Sequence, residues 1–295
     1  MTSRLFDEFF EEVVARRNIG YRLAERGERL STDDLVEVVR HGPILEALVL
    51  DGPLDHRDIE ARLDVSRATS HRFTRWLDEE GYLRRVAGGF ELTGPGQVVA
   101  EEVLRLEYNV SAAHRLAPLL EHVCADHQEF VVEPFAEATV TVADPGDPFR
   151  PMRRILDLVA DSTTLRGFNA TAMVPPGVPE FYDRLFDANA ELVGLPASID
   201  TLAAAYPDRI DDLRDSGRLA LYARDALPYG LLVLDDCVGI GGYDEDTGTL
   251  RVFVDSEDRT AREWAERAFE AYKSDSTPLD DRSTSPTELD LDTVG

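Results

Sequence analysis

The chain has 295 residues, of which 58 are acidic and 31 basic, for a formal charge of -27, and 43% are hydrophobic. That length exceeds what a single core usually fills, so two cores are expected, and the apolar content excludes an intrinsically disordered acidic chain. No run nears the roughly 20 apolar residues that span a bilayer, and "MTSRLFDEFFEEVV" is acidic where a signal peptide would be basic and then apolar, so a cytoplasmic protein with no membrane partner is expected.

In chain order, Leu5, Phe9, Val13, Val14 and Ile19 recur at near-helical spacing and predict an amphipathic leading helix within residues 1–30. Ser31 has the chemistry of an N-cap for a helix carrying Leu35, Val38 and Val39, and "PILEALVLDG" reads as a buried helix ending at Gly52. Asp55 can cap a short helix with Ile59 and Leu63, "DVS" makes a tight turn, and Ser66 can cap a helix ending at Gly81; the pair reads as a helix-turn-helix. Tyr82–Ala87 and Phe90–Thr93 then pair as strands across Gly88-Gly89, which completes a domain at residues 31–96.

A helical segment from Val98 to about His127 follows, assigned as a connecting or dimerisation helix over residues 97–128. From residue 129 to 273 the pattern changes. "FVVEPFAEATVTVAD" and "ELVGLP" are strand-like, "FRPMRRILDLVADS" and "SIDTLAAAYPDRIDDLRDSG" helical, and "RLALYAR", "YGLLVLDD", "CVGIGGYD" and "TLRVFVD" give four strand-like runs before the helix "DRTAREWAERAFEAYK". This mixture predicts a mixed sheet with helices packed on it. Residues 274–295 are polar, acidic and rich in Ser, Thr and Pro, and read as a disordered tail.

Lys273 is the only lysine, so arginine supplies nearly all the basic charge; a carboxylate-rich, lysine-poor surface of this kind resembles those of extreme halophiles. Cys124 and Cys237 are far apart and have no metal-ligand spacing, so they read as buried thiols. Two windows depart from the acidity. Ser66–Leu77 holds Arg67, His71, Arg72 and Arg75 without a carboxylate, and Gly81–Phe90 holds Arg84 and Arg85 without one.

With Ser70, Phe73 and Leu77 directed inward, the second helix of the motif turns Ala68, His71, Arg72 and Arg75 outward, with Arg67 near its N-terminal end. An arginine on such a helix can pair bidentately with guanine, and the helix N-terminus favours phosphate. Arg67, Thr69, His71, Arg72, Arg75, Arg84 and Arg85 are therefore the candidate DNA-binding residues, although adjacent Arg84 and Arg85 must point to opposite faces of a strand. The competing interpretation is a solvated face in which the arginines pair with Asp78, Glu79 and Glu80.

"VSRATSHRFTRWLDEEGYL" resembles the recognition helix and the start of the wing in archaeal winged-helix transcription regulators, and departs from them at Ser70 and Thr74, where apolar residues are usual. "ATVTVADPGDPFRPMRRILDLV", "AAYPDRIDDLRDSGRLALYARDALPYGLLVLDD" and "GIGGYDEDTGTLRVFVDSEDRTAREWAERAFEAY" resemble the C-terminal domain of methanogenesis-regulatory-protein type regulators. The resemblance implies an N-terminal DNA-binding domain and a C-terminal sensing domain.

The glycines of "GIGGYDEDTG" lack the spacing of a phosphate loop, "LDD" fits a turn, and no nucleophile-base pair or metal spacing is legible. No enzyme, cofactor or metal site is therefore expected. Tyr229, Asp236, Tyr243 and Arg251 are the candidate ligand-binding residues. The sequence thus predicts an α+β protein: an N-terminal winged helix-turn-helix, a long connecting helix and a C-terminal mixed α/β sensing domain. The expected partners are double-stranded DNA, a second copy in a homodimer and a small-molecule effector. The alternatives are a protein-protein interaction module that uses the winged helix, or an enzyme in the C-terminal domain.

Overall fold

The computed structural model describes residues 4–5, 7–9, 11, 30–123, 132–170, 186–244 and 246–279. The chain adopts an α+β fold in two compact units, Gly20–Ser111 and the remainder, Met1–Ile19 with Ala112–Gly295. Of the leading helix, residues 4–5, 7–9 and 11 are helical, and the rest of that prediction lies outside the described residues, as does Cys124.

The first unit begins with α1 (Thr32–Arg40), which Ser31 caps by accepting from the Asp34 amide at 3.1 Å. Next comes the apolar α2 (Gly42–Asp51), which stops at Gly52 with φ +74°. Asp55 accepts from the Arg57 and Asp58 amides and starts α3 (His56–Leu63), while Asp58 accepts from the Asp55 amide in return, so a reciprocal capping box fixes that helix end. Asp64 leaves α3 in the left-handed region at φ +49°, and Ser66 caps α4 (Arg67–Glu79). Ile44, Leu45, Leu48, Ile59, Leu77, Leu83, Phe90, Ala100 and Val103 form the core. Each fully buried Leu or Ile contributes roughly 1.5–3 kcal/mol.

Strands β1 (Leu83–Val86) and β2 (Gly89–Leu92) form the hairpin, with Val86 opposite Gly89, so the two-residue loop is Ala87-Gly88 rather than Gly88-Gly89. Gly89 belongs to the strand because another segment lies against it. Leu54 exchanges both backbone hydrogen bonds with Phe90, at 3.0 and 2.9 Å, and a Cβ on Gly89 would stand 2.2 Å from the Leu54 carbonyl oxygen. The hairpin therefore has a third strand one residue long.

Helix α5 (Gly94–Arg115) starts three residues before the expected connector, and its first half supplies Ala100 and Val103 to this core. The expected single helix to His127 is interrupted: α5 ends at Arg115 and α6 (Ala117–Val123) follows, with later residues outside the description.

The second unit is built on an eight-stranded sheet formed by β3 (Thr139–Val142), β4 (Thr164–Phe168), β5 (Asn189–Gly194), β6 (Leu219–Ala223), β7 (Gly230–Val233), β8 (Val238–Tyr243), β9 (Leu250–Ser256) and β10 (Thr277–Pro278). Its order is β10-β6-β5-β4-β7-β8-β9-β3; β4, β5 and β6 are mutually parallel and the other pairings antiparallel. Helix α6 packs on one face with α10 (Arg259–Ser274), whose Trp264, Ala265, Phe269 and Tyr272 meet Val238, Ile240, Val252 and Val254. The opposite face carries α7 (Arg150–Ala160), α8 (Pro196–Ala205) and α9 (Pro207–Asp215) over Leu165, Leu221 and Phe253. On that face the Phe253 ring lies across bare backbone, since a Cβ on Gly239 would come within 2.1 Å of it.

Several boundaries differ from the sequence reading. Among the described residues, "FVVEPFAEATVTVAD" yields a strand at β3, preceded by a 3-10 turn at Glu133–Phe135. The helix expected across "SIDTLAAAYPDRIDDLRDSG" is broken at Tyr206, whose backbone leaves the helical region ahead of Pro207. "TLRGF" forms β4, which was not foreseen. The start of the disordered tail expected from Ser274 is instead ordered, since Ser274 ends α10 and Thr277 and Pro278 pair with Ala223 and Tyr222; residues 280–295 lie outside the description.

Candidate nucleic-acid interface

Helix α4 buries Ser70, Thr74 and Leu77, at i, i+4 and i+7. Phe73, expected inside, is only partly buried, and the polar pair takes the inward positions because each hydroxyl finds a partner. Ser70 Oγ donates to the His56 carbonyl at 3.3 Å and lies 3.1 Å from His56 Nδ1, and Thr74 Oγ1 donates to the Ser70 carbonyl at 3.0 Å. Satisfied hydroxyls remove the desolvation cost that would otherwise exclude them from a core. Phe73 and Trp76 instead flank buried His41: the imidazole stacks on Trp76 at 4.4 Å and meets Phe73 edge-on at 4.9 Å. Its Nδ1 lies 2.6 Å from the Glu37 carbonyl oxygen, and burial holds its pKa below the usual histidine value.

This phase leaves Arg67, Ala68, His71, Arg72 and Arg75 exposed along one side of α4. Arg75 pairs with Glu79 at 3.2 Å, whereas Arg67 and Arg72 have no carboxylate partner among the described residues; Arg72 lies over the Phe73 ring at 5.6 Å. Among the described residues, the carboxylate pairing of the competing interpretation is thus confined to Arg75 on this helix. Thr69 belongs to the helix cap: its amide donates to Ser66 Oγ at 3.2 Å and its hydroxyl lies 3.0 Å from the same atom. On the hairpin, Arg84 stands opposite Glu91 and donates to it at 2.6 Å, while Arg85 stands opposite Phe90 with its guanidinium 5.3 Å from that ring.

His56, at the start of α3, was not singled out in the sequence, where it reads as an ordinary residue beside the cap Asp55. Its ring lies 3.8 Å from that of His71 and 5.0 Å from that of Phe90. Desolvation lowers its pKa, and His71, Arg85 and Arg67 lower it further, against the opposing charge of Glu60. His56 therefore brings the α4 face and the Arg85 side of the hairpin into one electropositive surface.

The four candidate ligand residues of the second unit are dispersed. Tyr229 is buried on the α10 face beside Phe168 and Trp264. Tyr243 lies on the opposite face, where its ring packs against Gly230 and Gly241 and burial raises its pKa. Asp236 is exposed in the β7–β8 turn, at the other end of that strand pair, and Arg251 is paired with Asp244 at 3.0 Å. In the "LDD" turn the engaged carboxylate is Asp235. It accepts from the Thr163 amide and hydroxyl at 2.7 and 2.8 Å and from both donors of Thr164, and these bonds hold its pKa down at about 2.

Cys237 is a buried free thiol whose pKa burial pushes up to about 11, which suits packing rather than nucleophilic chemistry. No group of side chains suited to holding a metal occurs among the described residues, and no described helix is long and apolar enough to cross a membrane.

Two family models match the chain. Residues 148–275 match the family described as methanogenesis regulatory protein FilR1, middle domain, and residues 29–115 match the HVO_A0261 N-terminal domain. No curated protein matches it. Among solved structures, TrmBL2, an archaeal chromatin protein, is 15% identical, with 84% of this chain and 100% of that one covered, at a TM-score of 0.39. An IclR family transcriptional regulator from Brucella abortus is 16% identical over 84% of this chain and 96% of that one, at 0.21. An O-methyltransferase family protein from Burkholderia thailandensis is also 16% identical, over 67% and 65%, at 0.21. At these TM-scores the structural likenesses carry no functional weight. The regulatory family model supports a transcriptional regulator, and the two models match separate parts of the chain, residues 29–115 and 148–275.

Proposed function

We propose that the chain is a sequence-specific, DNA-binding transcriptional regulator in which a winged helix-turn-helix at residues 31–96 reads duplex DNA and the C-terminal unit senses a small molecule or partner. The observation that carries this reading is the exposed face of α4, where Arg67 and Arg72 have no carboxylate partner among the described residues in a chain of charge -27. Free guanidinium groups on a helix preceded by a serine cap suit base edges and phosphate together. Arg85 extends the surface from the hairpin.

The acidity and single lysine support a protein of a high-salt cytoplasm. Phosphate contacts weaken there, since log K falls by about 0.9 per contact for each decade of salt, and base contacts then carry more of the affinity. Leu106 and Val110, exposed one turn apart on α5, support a homodimer. Sedimentation at molar salt tests it, and a monomer at micromolar concentration defeats it. A dimer would address half-sites about 34–36 Å apart.

Genome-wide mapping of bound DNA at native salt tests the main reading, with promoter enrichment as the expected result and none as the refutation. On the recovered sites, Arg67→Ala is expected to cost about 1–3 kcal/mol of specific affinity. Arg75→Ala is expected to cost less, because Arg75 is already engaged by Glu79. Loss of footprint protection distinguishes a DNA reader from a winged helix that docks on protein.

A further inference from the structure

The geometry points to a proton-linked contact in this interface: His56, packed against the His71 ring, takes up a proton when duplex DNA binds, so affinity rises as pH falls. The inference rests on the DNA-binding reading above.

The rings are 3.8 Å apart with a 38° tilt, and Phe90 closes the apolar edge of His56 at 5.0 Å. Ser70 has one hydroxyl hydrogen, which it gives to the His56 carbonyl, so the His56 Nδ1–H donates to Ser70 Oγ in turn. On this hydrogen-bond network the neutral tautomer is assigned with its proton on Nδ1, which leaves Nε2 as the basic nitrogen. The charged groups that act on His56 are cationic from both packing elements, Arg85 on the hairpin and Arg67 on α4 beside the His71 ring, with Glu60 on the histidine's own helix as the opposing carboxylate. Burial disfavours a charge on His56, and the His71 ring, Arg85 and Arg67 disfavour it further, so the His56 pKa lies below the usual histidine value in the free protein. DNA reverses the balance. A phosphate against this surface offsets the charge of Arg67 and Arg85, and a phosphate or guanine acceptor offers Nε2–H a hydrogen-bond partner, so the protonated form is favoured in the complex.

Linkage fixes the sign. A group whose pKa is low in the free protein and higher in the complex takes up protons on binding, over the range from about pH 8 down to 5.5, above the titration of ordinary carboxylates. While one proton is taken up, affinity gains up to about tenfold per pH unit.

The test uses the full chain and a labelled duplex selected from a randomised pool, with binding measured by fluorescence anisotropy at constant ionic strength across that range. Calorimetry in two buffers of different ionisation enthalpy counts the protons. Uptake of a substantial fraction of a proton is expected, with the pH slope flattened in His56→Gln and His71→Gln. Zero uptake by the unaltered chain overturns the proposal whether or not the variants fold, as does an unchanged slope in folded variants. Failure to bind any duplex at any pH overturns the DNA-binding reading itself, whereas tight, pH-independent binding leaves that reading standing and removes only the histidine contact.

Discussion

Replacing Gly89 with alanine probes the link between Leu54 and the hairpin. Gly89 has φ +140°, where an L side chain is strained by roughly 1–3 kcal/mol. The added Cβ would also stand 2.2 Å from the Leu54 carbonyl oxygen and 2.6 Å from the Asp55 nitrogen. Neither neighbour is a side chain that can rotate away, so the strand must separate and give up the two Leu54–Phe90 hydrogen bonds, worth together about 2 kcal/mol net. Gly88→Ala is the control. Its φ of +104° carries comparable strain, but nothing lies within 4 Å of the new Cβ. The difference between the two variants is therefore about 2 kcal/mol, or roughly 8–16 °C in the melting temperature of a unit this small. Trp76 reports on that unit alone in a Trp264→Phe background, because the chain has only these two tryptophans. Thermal unfolding followed by Trp76 fluorescence measures the gap, and equal melting temperatures for the two variants would refute the reasoning.

Three further expectations concern polar groups placed inside or between elements. Ser70→Ala strands His56 Nδ1 and is expected to cost about 1–2 kcal/mol, whereas Thr74→Val removes a hydroxyl bonded only to carbonyls of its own helix and should be neutral within about 1 kcal/mol; urea unfolding ranks the two. Arg154 binds both oxygens of buried Asp255, at 3.1 and 2.7 Å, so Arg154→Met is expected to destabilise by about 3 kcal/mol, at the low end for a buried pair because Arg154 is itself 36% exposed. Recovery of much of that loss in the Arg154→Met, Asp255→Leu double variant checks the cause. Asp235, with its pKa lowered from 3.8 to about 2, stabilises the fold above about pH 4, and the contribution is lost as pH falls through about 2. Solvent screening limits it to about 1 kcal/mol, so Asp235→Asn should lower stability at neutral pH by that amount and by nothing at the acid limit, as read by unfolding titrations across pH.

The N-terminal unit was legible because its signals are local. Ser31, Asp55 and Ser66 each sit where a cap is needed, and Gly52 and Asp64 supply the turns. What escaped the sequence depends on a distant partner. Ser70 was placed inward, but the His56 carbonyl that satisfies its hydroxyl is invisible in the local sequence, and His56 became part of the candidate site only when its ring met His71. In the second unit, "TLRGF" is too short and too polar to declare itself a strand, and β4 owes its place to β5 and β7 on either side. The four ligand candidates were chosen from neighbouring segments. The alternation of strand side chains then sends Tyr229 and Tyr243 to opposite faces, and hairpin geometry carries Asp236 to the far end.

Gly239 and Phe253 act as a single heritable character. A side chain at 239 has no room while the ring is present, and loss of the ring alone opens a void above bare backbone that costs about 3–5 kcal/mol. Each single change carries a cost that the other relieves, so the two positions are expected to drift together among descendants of this chain, with any larger residue at 239 accompanied by a smaller one at 253. That covariation would mark this face of the sheet in an alignment even where overall identity has fallen too low to align the strands by eye.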